Sequence, residues 1–481
     1  MSETGIAREM GYWWLPENED NKVPGTLEYS RLGDTRNLKL SGTFRPNQIM
    51  PSTEIFPVVH GFLKDGTSVS LLKCVVSDRH MGGITSDSYN CSAIVYGTHI
   101  DNAEQSVFSS GRVLFTMLQE WVAKPPFEME MQISNTPQSG PIKYSVHFRP
   151  KAFSEFELSS IRSRLAIDWK ANMPGSPLGN RVSLRHMYFI KLSPEGLQGI
   201  SWYLERFQEL RCLLTLLIGE PIYFASIDLS KPAKDKDKDR RDLNAQLYSQ
   251  FYGITKKPGK FSPGAIFKML APYPIVEEKH PDVFNRWFLD YPQLMTAYAT
   301  FFSALLLDEI TLEHRFLTLM QAIESFHRHT RQNEYMLPDE YRTQIEPAIA
   351  AAIPEAKADG KPLPEGLKDA LLSRIRFGNE YSLRKRIYDL LSSMDPGAVK
   401  LLTTDNNVFV SSIVDVRNRL THRTKDSPQL DAVSIAKLYK SCDQIEMMMI
   451  MLIMDRLEFN PDIYMRKLRT RADNMKAMRL I

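Results

Sequence analysis

The chain has 481 residues, which at about 150 residues per domain corresponds to roughly three folding units. Hydrophobic residues make up 43% of it and charged residues 24%, which excludes a chain that is disordered throughout. Because 60 Lys and Arg residues nearly balance 57 Asp and Glu residues, for a formal net charge of +3, an anionic partner has to bind a local basic patch rather than a uniformly basic surface.

The chain contains no Cys-x-x-Cys pair, and its four cysteines are Cys74, Cys91, Cys212 and Cys442. This spacing argues against a zinc ribbon, a thioredoxin-type site and a disulfide scaffold, and it favours a reducing cytoplasm. Residues 1–20 include no apolar stretch of signal-peptide length. The most apolar runs, 211–224 and 447–454, are shorter than the roughly 20 residues that span a bilayer. We therefore expect a cytoplasmic protein with no membrane segment.

Residues 1–190 carry the pattern of β structure. Short segments rich in Val, Ile, Phe, Tyr and Thr alternate with turn residues. The step Lys64-Asp65-Gly66 between two such segments indicates a hairpin. Further strands are predicted over 92–100, 111–118, 127–134, 142–148 and 183–192. Many short strands at this spacing predict a sandwich or an open barrel, and the pattern does not distinguish the two.

The sequence period changes over 191–280, which we interpret as a mixed linking region. A helix is predicted there, with Ser193 as its N-cap, Pro194 as its first residue and a stop at Gly219. The stretch 230–242 mixes both charges at low complexity, which is typical of an exposed loop.

Beyond about residue 280 every strong pattern is helical, with apolar residues at helical spacing in seven segments. The tail 464–481 holds six basic residues and one acidic residue, which suits either contact with RNA phosphates or an ordinary surface helix. The predicted fold class is therefore α+β and multidomain. An N-terminal β-rich region of sandwich or barrel type precedes an all-α bundle over 281–481.

No common catalytic signature occurs in the chain. It lacks a P-loop, a dinucleotide-binding glycine motif after a strand, H-E-x-x-H and G-x-S-x-G. His327 and His329 form the one close histidine pair, but on a helix their rings point about 200° apart and do not easily grip one metal. We interpret them as polar residues near a helix end, and we expect neither a metal nor a cofactor.

One predicted helix, 407–423, combines an apolar stripe with a cluster of reactive polar side chains. The stripe has 4-3-4 spacing and consists of Phe409, Ile413, Val416 and Leu420. At about 100° per residue, the arc beside the stripe holds Arg417, Thr421, Asn418 and His422. We therefore expect the helix to bury the stripe and to present these four side chains outward.

The chemistry of that arc suits phosphoryl transfer in RNA. The guanidinium of Arg417 can bind phosphate with two parallel hydrogen bonds and stays charged at neutral pH. The imidazole of His422 can carry a proton at that pH, and Asn418, one helical turn earlier, can orient it. The spacing alone leaves a solvated helix face as the alternative, since the same Arg–His spacing recurs at Arg181 and His186 in a predicted strand.

The segment Arg417-Asn-Arg-Leu-Thr-His422 resembles the R-N-x-x-x-H form of the motif of HEPN ribonucleases. The predicted helix over 315–328 is similar to an early helix of the ApeA-like HEPN group. The opening GYWWLPENEDNKVPGTLEYSRLGDTRNLKLSGTF resembles the β-rich N-terminal region of these bacterial anti-phage proteins. The resemblance covers both ends of the chain and the order of its parts, whereas about 190–280 is matched only loosely.

The resemblance implies an abortive-infection protein that cuts cellular or phage RNA, tRNA among the candidates, through attack of the RNA 2′-hydroxyl and without a metal. By position, Arg417 would hold the scissile phosphate, His422 would be the general acid/base and Asn418 would position groups around them. Arg419 and Arg423 flank the motif, where they would contact the RNA backbone or face solvent. HEPN ribonucleases generally act as dimers with two motifs at one cleft, so a homodimer is expected.

The N-terminal region is expected to sense a phage-derived signal or to restrain the nuclease. Its residues Tyr12, Trp13 and Trp14 are expected either in a recognition surface or in the core. In the helical region, Glu324 on the early helix is expected either at the catalytic site or on the surface. The rival hypothesis is a non-catalytic HEPN-like dimerisation or RNA-binding module with a ligand-binding β domain.

Overall fold

The computed structural model divides the chain into two compact units, Met1–Leu289 and Asp290–Ile481. The structure describes residues 6–30, 35–45, 55–83, 85–132, 143–149, 153–172, 185–232, 244–249, 262–307, 310–354, 356–357, 360–421 and 432–477. No helix within these ranges combines the length and the hydrophobicity of a membrane-spanning segment.

The first unit begins with a closed barrel of six antiparallel strands. The strands are β1 Ile6–Trp14, β2 Val23–Ser30, β3 Arg36–Leu40, β4 Ile55–Leu63, β5 Ser68–His80 and β6 Ser86–Tyr96. They pair in the order β1-β2-β3-β6-β5-β4, and β4 pairs back onto β1. The predicted β-rich region is confirmed. A sandwich or an open barrel would leave strand edges unpaired. Here the pairing of β4 with β1 closes the six strands into a barrel.

Alternating apolar residues build the barrel core, as the period of two in β structure requires. Trp13 is fully buried there, together with Leu27, Leu38 and Val59. The predicted turn at Lys64-Asp65-Gly66 joins β4 to β5, with Gly66 at a φ of 83° and the Asp65 carboxylate accepting the Thr67 N–H at 3.0 Å. The hairpin prediction is therefore confirmed.

The sheet continues beyond the barrel because β6 also pairs with β14 Asn244–Ser249. From there it runs through five further strands, β13 Phe224–Ser230, β7 Ser110–Phe115, β12 Arg185–Pro194, β11 Ser163–Asn172 and β10 Glu155–Leu158. A separate hairpin consists of β8 Phe127–Gln132 and β9 Lys143–Phe148. The helices of this part are α1 Leu118–Val122, α2 Ile200–Ile218, α3 Tyr273–Lys279 and α4 Val283–Asp290. Both β13 and β14 come from the middle of the chain and complete the sheet of the first unit.

Helix α2 begins later than the sequence predicts. Ser193 and Pro194 are the last residues of β12, where they pair with Arg164 and Ser163 of β11, so Ser193 is not available as an N-cap. The helix starts at Ile200 after an extended Gly199. The predicted start was wrong because strand pairing extends β12 through those two residues. The predicted stop is confirmed, since Gly219 follows the helix at a φ of 82°.

The second unit is all-helical. Its helices are α5 Met295–Leu306, α6 Leu312–Thr330, α7 Pro338–Glu340, α8 Glu346–Ala351, α9 Leu367–Arg376, α10 Leu383–Ser393, α11 Pro396–Leu402, α12 Asn406–Thr421, α13 Ala432–Arg456 and α14 Pro461–Ala477. Helix α6 packs against α5, α10, α12 and α13. The methionine-rich run 447–454 is buried in α13, so it belongs to the core. In the basic tail, α14 buries Tyr464, Met465 and Leu468 and exposes Arg466 and Arg469.

Gly61 provides a test of the barrel packing. A Cβ atom at this position would lie 2.3 Å from the Cε3 atom of Trp13, whose ring is fully buried. We expect Gly61→Ala to lower the free energy of unfolding of the first unit by about 1–3 kcal/mol, because the ring cannot move away without overpacking the core. Urea unfolding followed by tryptophan fluorescence measures this change. Gly83→Ala is the control, since a Cβ at position 83 meets nothing within 4 Å. Equal stability of the two variants would contradict the packing argument.

Candidate functional site

Helix α12 carries Arg417-Asn-Arg-Leu-Thr421, the described part of the R-N-x-x-x-H segment, and it begins at a side-chain cap. The Asp405 carboxylate accepts the N–H groups of Asn407 and Val408 at 2.8 and 3.1 Å, which satisfies two of the donors that a helix start leaves unpaired. The helix packs against α6 and α10. Arg417 and Asn418 lie near its C-terminal end.

The buried arc of α12 is wider than the predicted stripe. Phe409, Val410, Ile413 and Val414 are buried. Val416 and Leu420, the other two members of the predicted stripe, are only half-buried. The sequence pattern did not predict burial of Val410 and Val414. An apolar stripe shows which side of a helix faces the core, whereas the width of the buried arc depends on how α6 and α10 pack around the helix.

Arg417 lies on the packed face rather than on the outward arc. It continues the i, i+4 row that starts with Phe409 and Ile413, and it is half-buried one turn beyond the last buried residue of that row. The guanidinium thus lies where the packed face of α12 reaches the end of the helix. Partial burial strengthens the interaction of such a charge with an anion, because the local dielectric is lower than that of water.

The other candidate residues of the motif divide into those the structure describes and those it does not. Asn418 is exposed, and its Oδ1 accepts a hydrogen bond from Arg417 Nη1 at 3.3 Å. Arg419 is exposed. The Thr421 hydroxyl donates to the carbonyl oxygens of Arg417 and Asn418 at 3.0 and 3.1 Å, so its proton is used within the helix. The remaining two candidates, His422 and Arg423, lie outside the described residues.

Helix α10 runs antiparallel to α12. Arg384, near the start of α10, donates to the Ser411 hydroxyl at 2.5 Å and lies 3.7 Å from an Asp415 carboxylate oxygen in the second half of α12. Tyr388, one turn later on α10, donates to Asn407 at the start of α12. The N-terminal end of α10 therefore lies beside the C-terminal end of α12, where Arg417 and Asn418 are.

A buried polar network joins α6 to α10 in the same unit. His327 and Arg386 are both fully buried, and Arg386 Nη1 lies 3.2 Å from His327 Nδ1. Because a guanidinium only donates, Nδ1 accepts, and the Nε2–H donates to Asp389 Oδ2 at 3.0 Å. Arg386 also donates to Asn333. Burial lowers the pKa of His327, so the ring is neutral at pH 7.

Ion pairs extend this network towards the solvent. Arg328 Nη2 lies 3.1 Å from Glu324 and 3.0 Å from Glu380, and Arg386 Nη2 lies 3.6 Å from the same Glu380 oxygen. Glu324 thus contacts Arg328 of its own helix. The sequence analysis did not identify Arg386 as a buried residue. A signal for its burial existed, because the helical spacing of Leu383, Ile387 and Leu390 places it at a core position of α10.

The two histidines at the end of α6 have separate roles. His327 belongs to the buried network, whereas His329 is exposed and its Nδ1 lies 2.7 Å from the Ser325 carbonyl oxygen. Within the described ranges, no group of three or more His, Cys, Asp and Glu side chains could hold a metal ion.

The first unit offers a cavity rather than an aromatic recognition surface. Trp13 and Trp14 are buried, so of the three aromatic candidates Tyr12 alone is exposed. A cavity of about 320 Å³ adjoins the barrel, and its lining is mainly apolar. It is lined by Pro57, Val58, Leu72, Lys73, Ala93, Asn102, Ala103, Glu104, Ile200, Ser201, Leu204 and Leu247. Its size lies in the range of small-ligand sites.

A β unit built on a barrel is followed by a helical unit, and the family match of that helical unit defines a protein with a C-terminal HEPN domain. The family model described as ApeA N-terminal domain 1 matches residues 8–287, more than half of the chain, and the one described as Apea-like HEPN matches residues 317–463. The chain therefore belongs to the ApeA family of HEPN-domain defence proteins. Among curated proteins and among solved structures no match was found.

The neutral state of His327 predicts a pH dependence of stability. In the unfolded chain this ring binds a proton below about pH 6.5. In the native protein the pKa of the ring is lower, so it stays neutral there. The free energy of unfolding therefore falls as the pH drops from 6.5 towards the native pKa. His327→Gln removes this pH-dependent contribution to the free energy of unfolding. We expect the variant to be less stable by about 1–3 kcal/mol at pH 7.5, because buried partners lose a hydrogen bond. The difference from wild type should shrink at pH 5.5.

Thermal unfolding of the full chain at both pH values measures these differences. The exposed His329 on the same helix provides the matched control, since His329→Gln should follow wild type at both pH values. A gap between wild type and His327→Gln that stays constant from pH 7.5 to 5.5 would show that His327 does not titrate as described.

Proposed function

We propose that this protein is an anti-phage endoribonuclease that needs no metal and acts through Arg417, Asn418 and His422. The observation that carries the proposal is the position of Arg417, half-buried at the end of the packed face of α12, within the region that matches the Apea-like HEPN family. A guanidinium held in this way can bind a phosphate without losing its charge.

The reaction follows from the groups assigned. A base takes the proton of the RNA 2′-hydroxyl, the 2′-oxygen attacks the adjacent phosphorus, and the bond from phosphorus to the 5′-oxygen breaks. An acid returns a proton to the leaving 5′-oxygen. The products are a 2′,3′-cyclic phosphate and a 5′-hydroxyl. His422 exchanges the protons, Arg417 stabilises the charge that develops on the phosphate oxygens, and Asn418 holds the guanidinium through its Oδ1.

A second copy of the chain would complete the site. One imidazole cannot easily be the base and the acid in the same step, and two motifs at one cleft would divide these roles between two histidines. We therefore propose a homodimer, with Arg419 and Arg423 contacting the RNA backbone on either side of the scissile phosphate. The proposed substrates are cellular or phage RNA, with tRNA as one candidate.

We further propose that the β-rich N-terminal region, over residues 1–190, senses a phage-derived trigger and restrains the nuclease in the cytoplasm until infection. Residues 191–280, expected from the sequence to be a linking region, contribute α2, β13 and β14 to the first unit, and the proposed nuclease domain covers 281–481. The cavity beside the barrel supports the rival function, a ligand-binding β domain with a non-catalytic RNA-binding or dimerisation module. Binding of RNA without cleavage during phage infection would favour that rival.

Arg417→Ala and His422→Ala test the catalytic assignment. Each substitution should leave a folded protein and lower RNA cleavage by about 10²–10⁴-fold, because a positioned acid/base contributes that much and an oxyanion-binding charge a similar amount. Cleavage of total RNA or tRNA by purified protein, and survival of cells under phage challenge, measure the loss. Lys400→Ala, an exposed cation on α11, is the control that should retain activity. Normal cleavage by both motif variants would refute the assignment.

The role of the 2′-hydroxyl predicts independence from metal ions. Cleavage by wild-type protein should continue in EDTA, and its products should carry 2′,3′-cyclic phosphate and 5′-hydroxyl ends, which mass spectrometry of a short RNA identifies. A substrate with a single 2′-deoxy nucleotide at the cleaved position should resist cleavage. Strict dependence on added magnesium, or 5′-phosphate products, would contradict the proposed mechanism.

A further inference from the structure

The cavity of the first unit lies where the alternation of three neighbouring barrel strands shifts by one residue. Side chains that point into a barrel are normally two positions apart along a strand. In β4, β5 and β6 one pair of successive core residues is three positions apart, namely Phe56 and Val59, Leu71 and Cys74, and Cys91 and Ile94. The strand pairing places these three shifts side by side. The barrel wall therefore has one continuous irregularity.

The residues inside this shift form one wall of the cavity. Val58, Leu72 and Ala93 are paired across the three strands, and they are buried without belonging to the barrel core. All three line the cavity. Lys73, which follows Leu72 and also lines the cavity, has a φ of 49°, a value that residues other than glycine rarely adopt. Shifts and backbone strain of this kind re-aim side chains and are concentrated at binding sites.

Distant segments of the same unit complete the lining. Ile200 and Leu204, one turn apart at the start of α2, and Leu247 of β14 are buried and line the cavity. The apolar floor of the cavity thus consists of Val58, Leu72, Ala93, Ile200, Leu204 and Leu247. At about 30 Å³ for each water-sized group, the volume of about 320 Å³ holds roughly ten such groups. An unbranched chain of about ten carbon atoms would fill this space.

The rim of the cavity is polar and includes one cation. Lys73, Asn102 and Glu104 line it and are exposed. The Oδ1 atom of Asn102 accepts the Glu104 N–H at 2.9 Å, so the donors of its amide group are left for a ligand. Glu104 accepts a hydrogen bond from the Ser201 hydroxyl at 2.5 Å in the first turn of α2, where the positive end of the helix compensates a carboxylate. The rim therefore favours an anionic acceptor beside Lys73.

We propose that this cavity binds a medium-chain carboxylate, with an unbranched chain of about ten carbon atoms on the apolar floor and the carboxylate at Lys73 and Asn102. The ammonium group of Lys73 selects the charge of the head group, and the volume limits the length of the chain. This inference goes beyond the proposed function. Because the lining residues belong to the first unit, it holds whether or not the helical unit cleaves RNA.

Isothermal titration of the full-length protein with fatty carboxylates tests the ligand class. The affinity should rise about 3- to 4-fold for each added methylene from hexanoate through octanoate to decanoate, because each methylene buries a similar apolar area. Dodecanoate should bind no more tightly than decanoate, since its extra methylenes would remain outside the cavity. Decanol should bind more weakly than decanoate because it lacks the charge, and decylamine more weakly still because Lys73 repels it.

Lys73→Asn tests the head group without disturbing the backbone, because asparagine tolerates the left-handed conformation. The variant should bind decanoate about 3- to 10-fold more weakly, through the loss of a hydrogen bond to a charged group, and should bind decanol as wild type does. Lys64→Asn is the matched control. It removes another exposed cation of the barrel, one that does not line the cavity, and should leave decanoate binding unchanged.

Ala93→Leu tests the apolar floor. The added side chain occupies the space of about three methylenes, so the affinity for decanoate should fall by about 10- to 100-fold. Ala166→Leu enlarges a half-buried alanine of β11 that does not line the cavity, and it should bind as wild type does. Circular dichroism during thermal unfolding shows which variants are folded, and Lys73→Asn carries the test if Ala93→Leu is not.

Several outcomes would overturn the proposed site. They are the absence of decanoate binding to the wild-type protein, an affinity that does not depend on chain length, and decanoate binding that Lys73→Asn or a folded Ala93→Leu leaves unchanged. Decanol that binds as tightly as decanoate would overturn the assignment of a carboxylate. None of these results bears on RNA cleavage through Arg417, so this inference and the proposed function fail separately.

Discussion

The helical unit depends on one buried charge. Arg386 is fully buried and remains protonated at any physiological pH, so the fold has to surround its guanidinium with acceptors. His327 on α6 and Asn333 after it accept hydrogen bonds from Nη1, and the Glu380 carboxylate before α10 lies 3.6 Å from Nη2. Because these groups come from different segments, their contacts with the guanidinium hold α6 against α10 and bring the two connecting segments together. A buried ion network of this kind stabilises less than an apolar core of equal volume would, but a different register would leave the charge unpaired.

The position of the candidate site follows from this packing. Helix α12 packs in turn on α6 and α10, which determines that the row from Phe409 through Ile413 faces inward and that Arg417 is where the row leaves the bundle. The same contacts align the start of α10 with the end of α12. The helical scaffold thereby holds the guanidinium of Arg417 half-buried at the edge of the packed face.

The first unit is governed by a different constraint, the pairing of strand edges. Its barrel closes through β4 on β1, and β6 carries the rest of the sheet by pairing with β14 from a distant part of the chain. This pairing explains why the family match of the N-terminal domain extends to residue 287 and is not confined to the first strands. The residues that form the cavity come from both the barrel and α2, so the cavity exists only because these segments are combined.

The sequence by itself determined the local features: the β-rich first half, the hairpin at Lys64-Asp65-Gly66, the helical second half and the helix that carries Arg417 and Asn418. Each depends on residues within a few positions of one another, so periodicity, turn preferences and motif spacing suffice. Tertiary structure alone decided that β12 takes Ser193 and Pro194 from α2, that the barrel closes, that Arg386 is buried and that Arg417 lies on the packed face. These outcomes depend on partners far away in the chain, whose packing sets which face of an element is buried and which strand edge is paired.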